Sequence, residues 1–345
     1  MKMVFNPGSN WLFLIGGLVF LVSLAAGEAG KITGPGDPQN LFVDTIRPDE
    51  QLQTYLETTV AALAANDPSL QKSTFQVALI DLSEVASPLL AHLRGEQRVY
   101  PASVIKFVYL MAAHHWAEEN KIRLDSIWSS KLSDMIRHSS NQATRWVFYH
   151  LTGTEAGPEL CGDEYRAFSQ RRQAVKEWLL SLGVSGIHCI HPTFDGNGDL
   201  YGRDVQILKD RSFPDAWPAP PGSLGNRLSM TANATASLLA VLATGNALTA
   251  DRTTAVLELM KRDVTKQKYM QRRIAGGVSR CQGLEVFAKT GTFRETFADA
   301  GIIRDRAGRQ LILVVFIQNA WGYTGNFIPD LAERCARDLL NAPLK

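Results

Sequence analysis

Apolar runs with the length and alternation of β-strands fall only near the two ends of this chain. Phe75, Val77, Leu79, Ile80 and Leu82 make the first, and Leu89, Leu90, His92 and Leu93 the second, with Ser87-Pro88 between them in a simple hairpin. Strand-like sequence returns only at 285–288, 298–303 and 311–317, the last two joined by the turn Asp305-Arg306-Ala307-Gly308. Between the two groups, from Ser103 to about Thr265, the spacing is helical, with helices expected at 103–120, 131–151, 169–182 and 232–243. Strands so far apart bury their faces by joining one sheet, and the helical stretch then becomes an insertion with a ligand crevice at its boundary. The expected fold is therefore α+β. A three-layer α/β/α sheet lobe comes from about 49–102 and 266–345, and an inserted all-α lobe from about 103–265. Two amphipathic helices belong to the sheet lobe. One covers 49–65, with Asp49 as N-cap and Leu52, Tyr55, Leu56, Val60, Leu63 and Ala64 at helical spacing; the other covers about 328–340, with Leu331, Cys335, Leu339 and Leu340 on one face.

With 45% hydrophobic and 20% charged residues, a chain of 345 residues can bury a full core, and one catalytic domain from 49 to 345 is expected. A net charge of +2 without a long basic run gives no electrostatic case for a nucleic-acid partner. Lys2 precedes an apolar stretch from Trp11 to Leu24 that ends in Ala25, Ala26, Gly27 and Ala29. Residues 1–29 thus read as an export signal, or as an uncleaved membrane anchor, and place the protein outside the cytoplasm, in a periplasmic or similar space. Residues 30–48, rich in Gly, Pro and Asp, read as a tether. Cys161, Cys189, Cys281 and Cys335 lie too far apart for a metal or redox motif, so no metal or cofactor is expected. Cys161 and Cys189 are able to pair in an oxidising compartment, with free thiols as the alternative.

Three motifs carry chemistry. In Pro101-Ala102-Ser103-Val104-Ile105-Lys106 the serine opens a helix and the lysine follows three positions later on the same face. A partly desolvated lysine can take the proton that a serine must lose to become a nucleophile, and the helix start supplies a backbone N–H for an oxyanion. Alone this spacing is weak: Ser69 and Lys72 repeat it in what reads as a solvated turn. Downstream, Ser139-Ser140-Asn141 brings a hydroxyl suited to shuttling a proton and a carboxamide suited to holding a substrate amide; the plain alternative is a cap for a helix starting at Asn141. Lys289-Thr290-Gly291-Thr292 follows the apolar strand 285–288, offering a cation and a hydroxyl for a carboxylate, a glycine for close approach, and the N–H of Thr292 as a second oxyanion donor beside that of Ser103.

The conjunction of Ser-x-x-Lys, Ser-x-Asn and Lys-Thr-Gly, in this order and these contexts, resembles the class A β-lactamase and penicillin-binding-protein superfamily. The resemblance runs from about Asp49 to the C-terminus and includes Leu228 to Ala236 with the following Thr244 to Thr249. It implies a β-lactamase/transpeptidase-like fold and assigns roles residue by residue. Ser103 is the acylated nucleophile, Lys106 its proton partner and Ser139 the shuttle; Asn141 holds the substrate amide, and Lys289 and Thr290 anchor a carboxylate. Hydrolysis of β-lactam amide bonds is the implied activity, and a monomer is expected. The alternative is a D,D-peptidase or penicillin-binding protein acting on peptidoglycan stem peptides, and a third reading is a non-catalytic cell-wall-binding module. One departure matters. The Glu-x-x-Leu-Asn loop of class A enzymes, which supplies the base that clears the acyl-enzyme, is absent, and no glutamate occurs from Ser181 to Leu228. Asp195, Asp199, His188 and His191 are the substitutes on offer, in a loop that also carries the Pro-rich piece 214–221, while Arg294 and Arg304 are candidates to assist carboxylate binding.

Overall fold

The computed structural model describes residues 41–193, 202–213, 225–265 and 268–345. The expected signal, most of the tether, Asp195, Asp199 and the Pro-rich piece lie outside these residues. The chain runs β1 (Arg47–Pro48), α1 (Glu50–Ala65), β2 (Thr74–Asp81), β3 (Leu89–Leu93), α2 (Lys106–Glu118), α3 (Ser126–Arg137), α4 (Asn141–Thr152), α5 (Gly162–Arg172), α6 (Ala174–Ser181) and β4 (Ile187–His188). It continues as α7 (Gly202–Lys209), β5 (Ser229–Met230), α8 (Ala232–Ala243), α9 (Ala250–Met260), α10 (Ile274–Val278), β6 (Leu284–Phe293), β7 (Thr296–Asp305), β8 (Gln310–Gln318) and α11 (Phe327–Leu339).

Both ends of the chain do build one sheet, in the order β1-β3-β2-β8-β7-β6. Its centre is the antiparallel pairing of β2 with β8, from Thr74 opposite Gln318 to Asp81 opposite Leu311. Because side chains alternate along a strand, this register sends Val77 and Leu79 with Leu313, Val315 and Ile317 to one face, and Ala78 and Ile80 with Ile312, Val314 and Phe316 to the other. The first face is covered by Leu52, Leu56 and Val60 of α1, Ile274 and Val278 of α10, and Phe327 and Leu331 of α11. The second is covered by α8, and the apolar cluster on that side continues into the helices α2, α3 and α4. Burial of both faces explains why β8 is almost wholly apolar.

Several local expectations change. The tether is folded at its end: Arg47 N donates to Pro88 O and Asp49 N to Leu90 O, each at 3.1 Å, making β1 a parallel partner of β3 too short to leave a periodic signal. Asp49 caps α1 as expected, accepting from Leu52 N at 2.8 Å. The helix expected at 131–151 is two helices, broken at His138–Ser140, and that expected at 169–182 is interrupted at Gln173. Helix α8, inside the stretch 103–265 expected to form the helical lobe, lies on the sheet. All four cysteines are free thiols, Cys161 exposed and Cys189 buried, so the possible 161–189 pairing is not made. The helical part is fastened by a buried pair, Arg172 Nη2 donating to Asp204 Oδ1 at 2.6 Å, with Tyr149 OH donating to Asp204 Oδ2 at 2.7 Å. The guanidinium lies over the rings of Phe148, Tyr149 and Phe168.

Candidate active site

Ser103 does not open an α-helix directly; it stands in a 3-10 turn, Ala102–Ile105, that leads into α2 at Lys106. Ala102 before it has φ of +48°, a left-handed conformation that costs a non-glycine residue on the order of 1 kcal/mol or more. The turn leaves Ser103 half-buried while Lys106 is fully enclosed. Among the described residues the Ser103 hydroxyl has no hydrogen-bond partner, which suits a group that must face a substrate.

The Ser139–Asn141 segment sits in the break between α3 and α4. Ser139 is itself left-handed at φ +55°, and Ser140 caps α4 by accepting from Ala143 N at 3.1 Å. The plain capping role and the site role are thus divided between adjacent residues. Lys106 Nζ donates to Ser139 O at 2.5 Å, to Asn141 Oδ1 at 2.6 Å and to Ser139 Oγ at 3.3 Å. Burial pulls the Lys106 ammonium down to about 7, so a large neutral fraction is present near neutral pH.

Strand β6 is the outer strand of the sheet and delivers Lys289 to the same point. Lys289 Nζ donates to Ser139 Oγ at 3.1 Å and to Thr290 O at 2.9 Å, so the Ser139 hydroxyl bridges the two lysines. Gly291 accounts for the closeness of strand and turn: a Cβ there would stand 2.6 Å from Pro101 O and 3.2 Å from Val104 N. Thr290 is half-buried and Thr292 exposed, at the mouth of this contact. The structure therefore brings Ser103, Lys106, Ser139, Asn141, Lys289, Thr290, Gly291 and Thr292 into one neighbourhood.

Three further charged residues surround it that sequence reasoning missed. Arg273 Nη2 donates to Thr292 Oγ1 at 2.5 Å and Nη1 to Ala298 O at 2.7 Å, and its guanidinium lies 3.5 Å from the centre of the Phe297 ring. Arg262 Nε donates to Ala288 O at 2.8 Å. Asp299, fully buried opposite Thr290 in the β6–β7 register, accepts from Ile274 N at 2.9 Å and Ala300 N at 3.1 Å. The sequence carries no local signal for these residues; only the strand register places them. Of the arginines it offered, Arg294 is exposed and lies over Phe293, and Arg304 donates to Gln310 Oε1 at 3.0 Å while lying over Phe287. Ser69, the second Ser-x-x-Lys, donates to Asp67 Oδ1 in a short 3-10 turn beside an exposed Lys72, as a solvated turn should.

From the loop side, the buried Thr193 hydroxyl donates to Asn141 Oδ1 at 3.2 Å. The loop is tied to α2 by Tyr109 OH, which donates to His191 O at 2.9 Å. His188 lies in β4 opposite Ser229, and neither it nor His191 bonds to Lys106 or Ser139. A cavity of about 790 Å³ opens beside Gly283–Val286, Arg262 and Arg306, but it contains none of the motif residues.

Solved structures with this fold include a beta-lactamase from Sphaerobacter thermophilus DSM 20745, at 18% identity and a TM-score of 0.57, covering 83% of this chain and 98% of that one. A beta-lactamase from Chitinophaga pinensis DSM 2588 is similar at 16% identity and a TM-score of 0.58, covering 83% and 98%. A PBP-A mutant solved as an acyl-enzyme complex with penicillin G is similar at 14% identity and a TM-score of 0.58, covering 86% and 98%. At these identities the likeness speaks for the fold. No curated protein matches the chain. The model of the beta-lactamase enzyme family matches residues 128–340, more than half of the sequence, and the chain belongs to that family.

Proposed function

We propose that this protein is a serine acyl-enzyme hydrolase that opens β-lactam amide bonds. The observation that carries the reading is the buried Lys106, hydrogen-bonded to Ser139 and Asn141 three residues after a half-exposed Ser103. Neutral Lys106 takes the Ser103 hydroxyl proton as Oγ attacks the amide carbonyl carbon. The backbone N–H groups of Ser103 and Thr292 face the oxyanion. When the C–N bond breaks, Ser139 passes its hydroxyl proton to the leaving nitrogen and is reprotonated from Lys106, leaving an ester on Ser103. Water then cleaves the ester, giving the free acid and restoring the serine. Lys289 and Thr290 receive the substrate carboxylate, and Asn141 the acyl amide.

A second reading has its own support in the sequence: no glutamate occurs from Ser181 to Leu228 to supply the water-activating base of the class A enzymes. A D,D-peptidase that reacts with peptidoglycan stem peptides and holds β-lactams as slow esters needs no such base. The N-terminal stretch supports an exported enzyme under either reading. Intact mass of the protein after mixing with penicillin G, followed together with drug absorbance, tests both. A short-lived adduct with continuous drug loss fits the hydrolase, and one equivalent consumed with a persistent adduct fits the peptidase. Labelling that persists in Ser103→Ala removes Ser103 from either scheme.

A further inference from the structure

Lys289 is held by the fold in surroundings poorly suited to a charged ammonium. Its side chain is 1% exposed. Both oxygens that its Nζ reaches, Ser139 Oγ at 3.1 Å and Thr290 O at 2.9 Å, are neutral. The charged groups that face it come from every element packed around β6. They are Lys106 at the start of α2, Arg262 after α9, Arg273 before α10, and Asp299 on β7. Two of these four, Arg262 and Arg273, keep their charge at neutral pH, Lys106 is charged only toward the acid side of about 7, and the one carboxylate, Asp299, already accepts two backbone N–H bonds, from Ile274 and Ala300. Burial first, and then Lys106, Arg262 and Arg273, push the Lys289 ammonium well below the ordinary lysine range, against the single opposing pull of Asp299.

We propose that anion binding at this site is proton-coupled: Lys289 stands uncharged in the empty crevice and takes up one proton as the carboxylate of a ligand arrives beside it. The inference rests on the reading of Lys289 as the carboxylate anchor and deepens it. An incoming carboxylate supplies the countercharge that the fold withholds, so the ammonium becomes the favoured form only in the complex. By linkage, a ligand that brings one proton with it loses about tenfold in affinity for each pH unit above the point at which the empty site has lost its own proton. Arg273 already lends a permanent charge to Thr292, so binding weakens with pH but is not abolished. The consequence is selective: the carboxylate of a ligand contributes strongly in mildly acidic solution and progressively less as the solution becomes alkaline, whereas a ligand with an esterified carboxylate feels no such dependence.

The test uses the Ser103→Ala protein and penicillin G, titrated calorimetrically at pH 7.5 or so in phosphate and in Tris, buffers with very different ionisation enthalpies. A difference in heat that corresponds to about one proton taken up per site is expected. In Ser103→Ala carrying Lys289→Arg, whose guanidinium stays charged, binding should persist with no uptake. Heats that are independent of buffer overturn the proposal, as does uptake that survives Lys289→Arg, which would move the proton to Lys106. The unmodified enzyme supplies a second measurement: the acylation advantage of penicillin G over its methyl ester should fall about tenfold per pH unit on the alkaline side, and a constant ratio also overturns the proposal. Failure of the unmodified enzyme to be acylated by either compound would instead remove the functional reading on which the proposal stands.

Discussion

Replacing Lys106 with methionine should destroy acylation and, over part of the pH range, make the protein more stable. In the fold the ammonium is pulled to about 7 by burial. In the unfolded chain it titrates near about 10.4, at about 1.36 kcal/mol per pH decade. Between these two values the unfolded chain binds the extra proton, so the folded state carries a penalty of about 5 kcal/mol below pH 7 that is relieved as pH rises toward 10. Methionine removes that penalty and keeps most of the volume, but it also strips a donor from Ser139 O and Asn141 Oδ1. Losing two such bonds costs about 2 kcal/mol. Lys106→Met is therefore expected to be about 2–3 kcal/mol more stable than the parent at pH 6, and about 1–2 kcal/mol less stable near pH 10. Urea unfolding at both pH values, with penicillin labelling as the activity readout, measures each part. A stability difference that does not change with pH would refute the reasoning, because it would mean that Lys106 titrates in the fold as it does in the unfolded chain.

Three other outcomes follow from the same geometry. With the methyl ester of penicillin G, which does not call on Lys289, the acylation rate should rise about tenfold per pH unit below about 7, as Lys106 gives up its proton, and then level off; a rate unchanged between pH 5 and 7 removes Lys106 as the base. Gly291→Ala places a Cβ 2.6 Å from Pro101 O and must push β6 away from the serine turn. A shift of about 1 Å there should cost about 100-fold in acylation and about 1–3 kcal/mol in denaturant stability, and a full-speed variant would show that the strand and turn need not touch. Asp204→Asn leaves the enclosed Arg172 guanidinium without its carboxylate. Thermal or urea unfolding should register a loss of about 3–5 kcal/mol, and a loss below about 1 kcal/mol would mean that the three rings alone satisfy the cation.

The motifs are legible in the sequence because each is local, and the sheet is legible because both faces of β2 and β8 are covered, which leaves apolar runs with few polar interruptions. What the sequence conceals is set by register and by breaks of one or two residues. The division between α3 and α4 depends on Ser139 adopting a left-handed conformation, and helical periodicity runs straight across it. Likewise β1, with two residues and both side chains exposed, has no apolar alternation to detect. Arg273, Arg262 and Asp299 are invisible for a different reason. Each is a single charged residue whose meaning comes from the β6–β7 pairing and from backbone carbonyls far away in the chain, and neither spacing nor residue type distinguishes it from a surface charge. The roles proposed for Asp195 and Asp199 fall outside the described residues.

The central pairing of β2 with β8 also governs how the molecule must come into being. These strands are separated by the entire helical stretch, so the fold has a high contact order and its closing step must gather distant parts of the chain. At about 5–20 residues per second during synthesis, β2 waits on the order of tens of seconds for its partner. Throughout that interval Val77, Leu79 and Ile80 are an unpaired apolar edge, open to aggregation. The serine turn meets Lys289 only once the second group of strands has joined the first. A partly made chain therefore has a nucleophile but no neighbouring strand to receive a ligand, and reactivity is acquired late and all at once.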